Sequence, residues 1–149
     1  MKASVSIVLC TYNGAKYLSE QLDSILAQTY PLHEIIIQDD NSTDETVNII
    51  HEYASTYSLI KFFENNSEHG VNGNFISAMQ RATGDYIAIS DQDDIWETDK
   101  IENQMNSIGK NLLCSGFSRP FSTDGSFAYF DHRKRNVSVV RMCFLGLPG

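Results

Sequence analysis

Cysteine is scarce in this chain: of 149 residues, only Cys10, Cys114 and Cys143 carry thiols. They are widely spaced and odd in number, with no C-x-x-C and no histidine at metal-ligand spacing. That excludes a disulfide scaffold or zinc finger and predicts free thiols in a reducing compartment. Long apolar runs are missing as well, since nothing approaches the roughly 18 residues of a membrane span. The segment before Thr11 has one positive charge, a very short apolar run and no small-residue cleavage site, so it does not read as a secretory signal. A cytoplasmic location is expected, with at most peripheral association at the inner face of the membrane. Positive charge is also short: 11 Lys+Arg face 19 Asp+Glu, a formal charge of −8. This balance argues against nucleic acid or an anionic lipid surface as the main partner. Neither G-x-G-x-x-G nor G-x-x-x-x-G-K-[ST] follows the first strand, so a dinucleotide fold and a P-loop do not fit. The four histidines, His33, His51, His69 and His132, are scattered and receive no role.

What is present suits one globular domain with a core, at 42% hydrophobic and 20% charged residues. Residues 5–10 form a short β-rich run that ends at the turn signal Tyr12-Asn13-Gly14. Leu18, Leu22, Ile25 and Leu26 then mark one face of a helix, which Pro31 must stop. Residues 34–38 read as a strand that is apolar enough to be covered on both faces. Ser42-Thr43-Asp44-Glu45 reads as a capping box with Ser42 at the N-cap, followed by a helix through Val47, Ile50 and Tyr53. A third strand is predicted over 59–63 and a polar loop over 64–74. A helix through Phe75, Ile76, Met79 and Ala82 follows, and then a fourth strand over 86–90.

This alternation of strands and helices predicts a parallel sheet covered on both faces, with right-handed crossovers. Ligands of such sheets sit at the carboxyl ends of the strands. The unusual residues of this chain gather there: Thr11-Tyr12-Asn13, Asp39-Asp40 and Asp91-Gln92-Asp93-Asp94. Beyond Asp94, a helix is predicted over 98–108 and a strand over 112–117. The run 127–130 is β-prone, and 137–145 is too short to type. Charge is uneven: residues 1–108 hold 5 basic and 17 acidic side chains, residues 109–149 hold 6 and 2.

Three carboxylates within Asp91-Gln92-Asp93-Asp94 repel one another unless a cation intervenes. Hard oxygen donors on a short loop suit Mg²⁺ or Mn²⁺, which bind through one or two carboxylates plus substrate phosphates. Trp96 is expected as an exposed loop aromatic just beyond them. Of Asp39 and Asp40, one suffices to start the following helix, which leaves the other for a ligand's N–H or hydroxyl groups. Tyr12 can wall a nucleobase.

Together the three loops resemble the family-2 GT-A glycosyltransferases, which use nucleotide sugars to build bacterial surface polysaccharides. Residues 5–13 are similar to that family's opening strand, and Gln38-Asp39-Asp40-Asn41-Ser42-Thr43-Asp44 to its DD-x-S-x-D element. Gly84-Asp85-Tyr86-Ile87 with Asp91-Gln92-Asp93 is similar to its G-[DE]-Y-I strand and D-x-D motif. The run from Ser90 to Trp96 resembles the rhamnosyltransferase-like branch. The likeness covers roughly residues 4–102.

The resemblance implies an α/β, Rossmann-like GT-A fold: a mostly parallel sheet with helices on both faces, its C-terminal part incomplete. Residues 1–108 would form the nucleotide-sugar-binding region and 109–149 the start of an acceptor-side region. It implies that Thr11, Tyr12, Asp40, Asn74 and Asp91 bind the nucleotide, and that Asp91 and Asp93 hold Mg²⁺ or Mn²⁺. Gly70 lies in the same loop as Asn74. The donor would be a UDP- or dTDP-linked sugar, the acceptor a saccharide or a lipid-linked saccharide, and the transfer inverting. The catalytic base is expected beyond Gly149. A chain without that base could also be a non-catalytic nucleotide-binding module. A Mg²⁺-dependent phosphoester hydrolase is a third reading, weakened by the lack of a nucleophile with a partnered base.

Overall fold

The computed structural model describes residues 2–116 and 145–146. Their elements run β1 (Val5–Thr11), α1 (Ala15–Leu26), β2 (Glu34–Asp39), α2 (Thr46–Thr56), β3 (Ile60–Glu64), α3 (Val71–Met79), β4 (Tyr86–Ser90), α4 (Lys100–Ile108) and β5 (Leu145–Gly146). The sheet order is β3-β2-β1-β4-β5. The first four strands are parallel, and β5 pairs antiparallel with β4 at Ile87 and Tyr86. The expected α/β fold is the one found.

Every residue of β1 and β2 is buried, polar Ser6, Thr11, Glu34, Gln38 and Asp39 included, because both faces of these central strands are covered. Alternation along the strands divides the core. Val5, Ile7, Leu9, Ile35 and Ile37 pack with Leu18, Leu22 and Ile25 of α1, Ile50 of α2 and Ile101 of α4. Val8, Cys10 and Ile36 face the other way, onto Ala78 of α3. Helices therefore cover both faces, and the loops after β1, β2 and β4 are left together on one rim.

Four expectations need correcting. The helix after β2 does not start at Ser42. The Ser42 hydroxyl is drawn back to Asp39 and accepts the Asn13 N–H, and Asp44 takes the N–H of Thr46 at 3.0 Å, so α2 opens at Thr46. Helix α3 begins at Val71, inside the segment predicted as loop, so Asn74 sits on a helix. Residues 112–116 form no strand, and the edge of β4 is taken by β5 instead. Trp96 is not exposed: it is 3% accessible and packs into the core cluster under α1 and α4. Phe117, residues 127–130 and 137–144, Cys143 and the basic segment 133–135 lie outside the described residues. Among the described residues, no helix is long and apolar enough to cross a membrane.

Candidate functional site

A cavity of about 600 Å³ opens on this rim. Thr11, Tyr12, Asp40, Asn74, Asp91 and Asp93, the residues singled out in the sequence, all line it. Cys10, His69, Gly70 and Gln92 line it as well.

Thr11 is buried at the end of β1, and its hydroxyl donates to Asp39 Oδ1 at 2.7 Å. Asp39 also receives the Ser42 N–H at 2.7 Å, so this carboxylate is spent on shaping the β2–α2 turn. Tyr12 presents its ring instead, 59% exposed. Asn13 follows with φ +49°, accepts the Thr43 N–H at 2.8 Å and thereby ties the first rim loop to the second.

Asp40 takes three donors, each at 2.7 Å: Asn65 Nδ2 and His69 Nδ1 on Oδ1, and the Gly70 N–H on Oδ2. Burial works to raise its pKa, but the hydrogen bonds from Gly70, His69 and Asn65 outweigh it and hold the carboxyl below its ordinary value. A carboxylate offers about four acceptor positions, so one remains on Oδ2. Gly70 reaches this position with φ +93°, a backbone conformation that costs any other residue.

Asn74 is 3% exposed. Its Nδ2 donates to the carbonyl of Gln38 at 3.2 Å, and its Oδ1 accepts Gln38 Nε2 at 2.9 Å. This exchange bolts α3 to β2 beneath the cavity floor.

Asp91 and Asp93 stand at the end of β4 with exposed side chains, and Asp94 is half-buried beside them. Loss of hydration at the rim, then the charge of Asp93, raises the pKa of Asp91. Burial and then Asp91 raise that of Asp94, while Lys100 opposes the shift. The Lys100 ammonium lies 4.7 Å over the Trp96 ring, and burial lowers its pKa. Among the described residues no three acidic, histidine or cysteine side chains close into a metal cage. Two hard carboxylates on an electronegative rim fit a divalent cation that takes its remaining ligands from substrate phosphates and water. Burial, then the charges of Asp91 and Asp40, push the pKa of the Cys10 thiol far up, which disfavours the thiolate.

Three contributors carry no sequence signal of their own: Asn65, which donates to Asp40 from a polar loop, His69 and Gln92. His69 was given no role and in fact grips Asp40; a lone histidine in a polar loop carries no periodic signal. Gln92, the middle residue of the D-x-D, pairs twice with the backbone of Tyr12. Its position between two aspartates marks it only once the loop's neighbour is known.

A parallel sheet flanked by helices, with a cavity outside the carboxyl ends of adjacent strands, is the arrangement in which α/β proteins of this class hold their ligands. Residues 6–145 match the profile described as Glycosyl transferase family 2, and the chain belongs to that family. It is 42% identical over 114 residues to the UDP-Glc:alpha-D-GlcNAc-diphosphoundecaprenol beta-1,3-glucosyltransferase WfaP of Escherichia coli, covering 76% of this chain and 45% of WfaP. It is 41% identical over 105 residues to the dTDP-rhamnosyl transferase RfbG of Shigella flexneri, covering 67% of this chain and 36% of RfbG. Among solved structures, the mannosyltransferase PcManGT from Pyrobaculum calidifontis, in complex with GDP-Man and Mn²⁺, superposes with a TM-score of 0.72 at 27% identity, covering 80% of this chain and 36% of that one. The chain thus spans less than half the length of these three proteins.

Proposed function

We propose that this chain forms the donor-binding part of an inverting glycosyltransferase that uses a UDP- or dTDP-linked sugar with Mg²⁺ or Mn²⁺. The observation that carries this reading is the convergence of the Tyr12 ring, the Asp40 carboxylate and the Asp91–Asp93 pair on one cavity. In it, Tyr12 walls the base, and the remaining acceptor position of Asp40 takes the imide N–H of a pyrimidine. The likeness to WfaP and RfbG, at 41–42% identity, supports a uridine or thymidine nucleotide over guanosine. Asp91 and Asp93 would hold the cation. When bound, a divalent ion neutralises charge on the departing diphosphate. Asp91 also faces the ribose, and Gln38 fixes Asn74 in the cavity wall. An acceptor hydroxyl attacks the anomeric carbon from the face opposite the leaving nucleoside diphosphate, and we assign no base to it. The name of WfaP supports a lipid-diphosphate-linked saccharide as acceptor.

Calorimetric titration with UDP, dTDP and GDP, each with and without Mn²⁺, tests the donor side. UDP or dTDP should bind, and more tightly with the metal. Binding of none of the three, or binding indifferent to Mn²⁺, would overturn the reading. Turnover of a nucleotide sugar, including slow hydrolysis, separates the enzyme from a module that only binds.

A further inference from the structure

The turn after β1 is anchored on one side by the loop after β2. The Asn13 N–H donates to Ser42 Oγ at 2.8 Å, the Gly14 N–H to Thr46 Oγ1 at 2.8 Å and the Ala15 N–H to Asp44 Oδ2 at 3.2 Å. On the other side stands the loop after β4, which carries Asp91 and Asp93. There, among the described residues, one side chain supplies both hydrogen bonds to Tyr12. Gln92 Oε1 accepts the Tyr12 N–H at 2.8 Å, and Gln92 Nε2 donates to the Tyr12 carbonyl at 3.0 Å. The amide copies what a neighbouring strand would do and extends the β1–β4 pairing past the last bridge, Leu9 with Ser90. Space for it exists because residue 14 is glycine: a Cβ there would stand 2.3 Å from Gln92 Oε1 and 2.5 Å from Gln92 Cδ. The φ of Gly14 is −102°, so the need for glycine is one of room and not of backbone conformation.

We propose that Gln92 is a positioning residue, which clamps the backbone of Tyr12 and so joins the nucleobase wall to the loop bearing Asp91 and Asp93. The inference rests on the donor-site reading above and deepens it: cation and nucleoside are coupled through the protein as well as through the diphosphate that touches both. Ordering of the acidic loop by a cation fixes Gln92, and Gln92 fixes Tyr12. Linkage then requires the reverse effect of equal size.

Uridine separates this route from direct bridging, because it has no phosphate to contact the ion. Titrations of uridine and UDP, with and without Mn²⁺, are to be made on the unaltered chain, Gln92→Ala, Gly14→Ala and the double variant. In the unaltered chain Mn²⁺ should tighten uridine by several-fold. In Gln92→Ala that gain should vanish, and the Mn²⁺ gain for UDP should shrink by the same several-fold factor, leaving the part carried by the diphosphate. Gly14→Ala expels the Gln92 side chain and should give the same loss. Once residue 92 is alanine the space is free, so the double variant should be no worse than Gln92→Ala, a non-additivity that general destabilisation does not produce. Mn²⁺-tightened UDP binding with uridine indifferent to Mn²⁺, or with equal gains in Gln92→Ala, overturns the clamp and leaves the donor site standing. Absence of any nucleotide response to Mn²⁺ in the unaltered chain overturns both.

Discussion

His69 Nδ1 lies 2.7 Å from Oδ1 of Asp40. A carboxylate only accepts, so the imidazole carries a proton on Nδ1 and donates it. Asn65 Nδ2 and the Gly70 N–H complete the grip, and the loop before α3 thereby aims a carboxylate that begins on β2. His69→Ala should weaken UDP or dTDP binding by about 3–10-fold, the net scale of one hydrogen bond lost from a set of three that hold Asp40. Calorimetry reads this directly, and unchanged affinity would mean that Asn65 and Gly70 position Asp40 without help.

Gly70→Ala tests the same grip from the backbone. A Cβ at Gly70 meets nothing within 4 Å, so crowding plays no part. The difficulty is φ +93°, which should lower stability by about 1–2 kcal/mol or force the turn to relax and withdraw its N–H from Asp40. A lowered melting temperature or a weaker nucleotide titration is the expected result.

Glu34 governs acid stability. It is 1% exposed and receives Ser6 Oγ, Lys61 Nζ and both the N–H and hydroxyl of Thr83. Burial alone would raise its pKa, but the bonds from Lys61, Ser6 and Thr83 outweigh that and hold it at about 2 against an ordinary 4.5. The folded value is the lower one, so the contribution is complete above pH 4.5 and is lost as pH falls toward 2. Its size is on the order of 3 kcal/mol. Urea unfolding of the unaltered chain should therefore weaken across that window, whereas Glu34→Gln should be less stable at neutral pH and flatter between pH 5 and pH 2. Parallel curves for the two would refute the assignment.

Strands β1, β2 and β4 were legible in the sequence because each is an apolar run ended by polar residues. The sheet order then brought Thr11, Tyr12, Asp40, Asn74, Asp91 and Asp93 to one cavity. Local rules misled where two polar residues competed for one task. Ser42 and Asp44 can both start a helix, and Ser42 was already held by Asp39 and Asn13 across the rim. Val71-Asn72-Gly73 has no apolar period, so the first turn of α3 carries no helical signal in the sequence. Trp96 lies two residues past the polar run 91–94 and reads as solvent-facing, yet its place is set by packing against α1, about 70 residues earlier in the chain. Long-range contacts leave no trace in spacing.

Asp93→Ala addresses the cation. If Asp91 and Asp93 share it, Mn²⁺ should no longer tighten UDP, removing a coupling on the order of 5–150-fold. With that neighbouring charge gone, Asp91 should ionise more readily, since Asp93 is one of the two causes that raise its pKa. Full retention of the Mn²⁺ effect would assign the ion to other groups.

The sheet is also a ruler. Asp40 follows β2 and Asp91 follows β4, with β1 between them, so two inter-strand steps separate the two stations. Each step is set by backbone hydrogen bonds at about 4.8 Å, and the span of about 10 Å does not yield to side-chain replacement. A change of base or sugar must then be accommodated in the loops that hang from this fixed gauge, chiefly the turn at Tyr12 and the approach to α3. On the donor-site reading, those loops set the preference for base and sugar while the separation of Asp40 from Asp91 stays fixed.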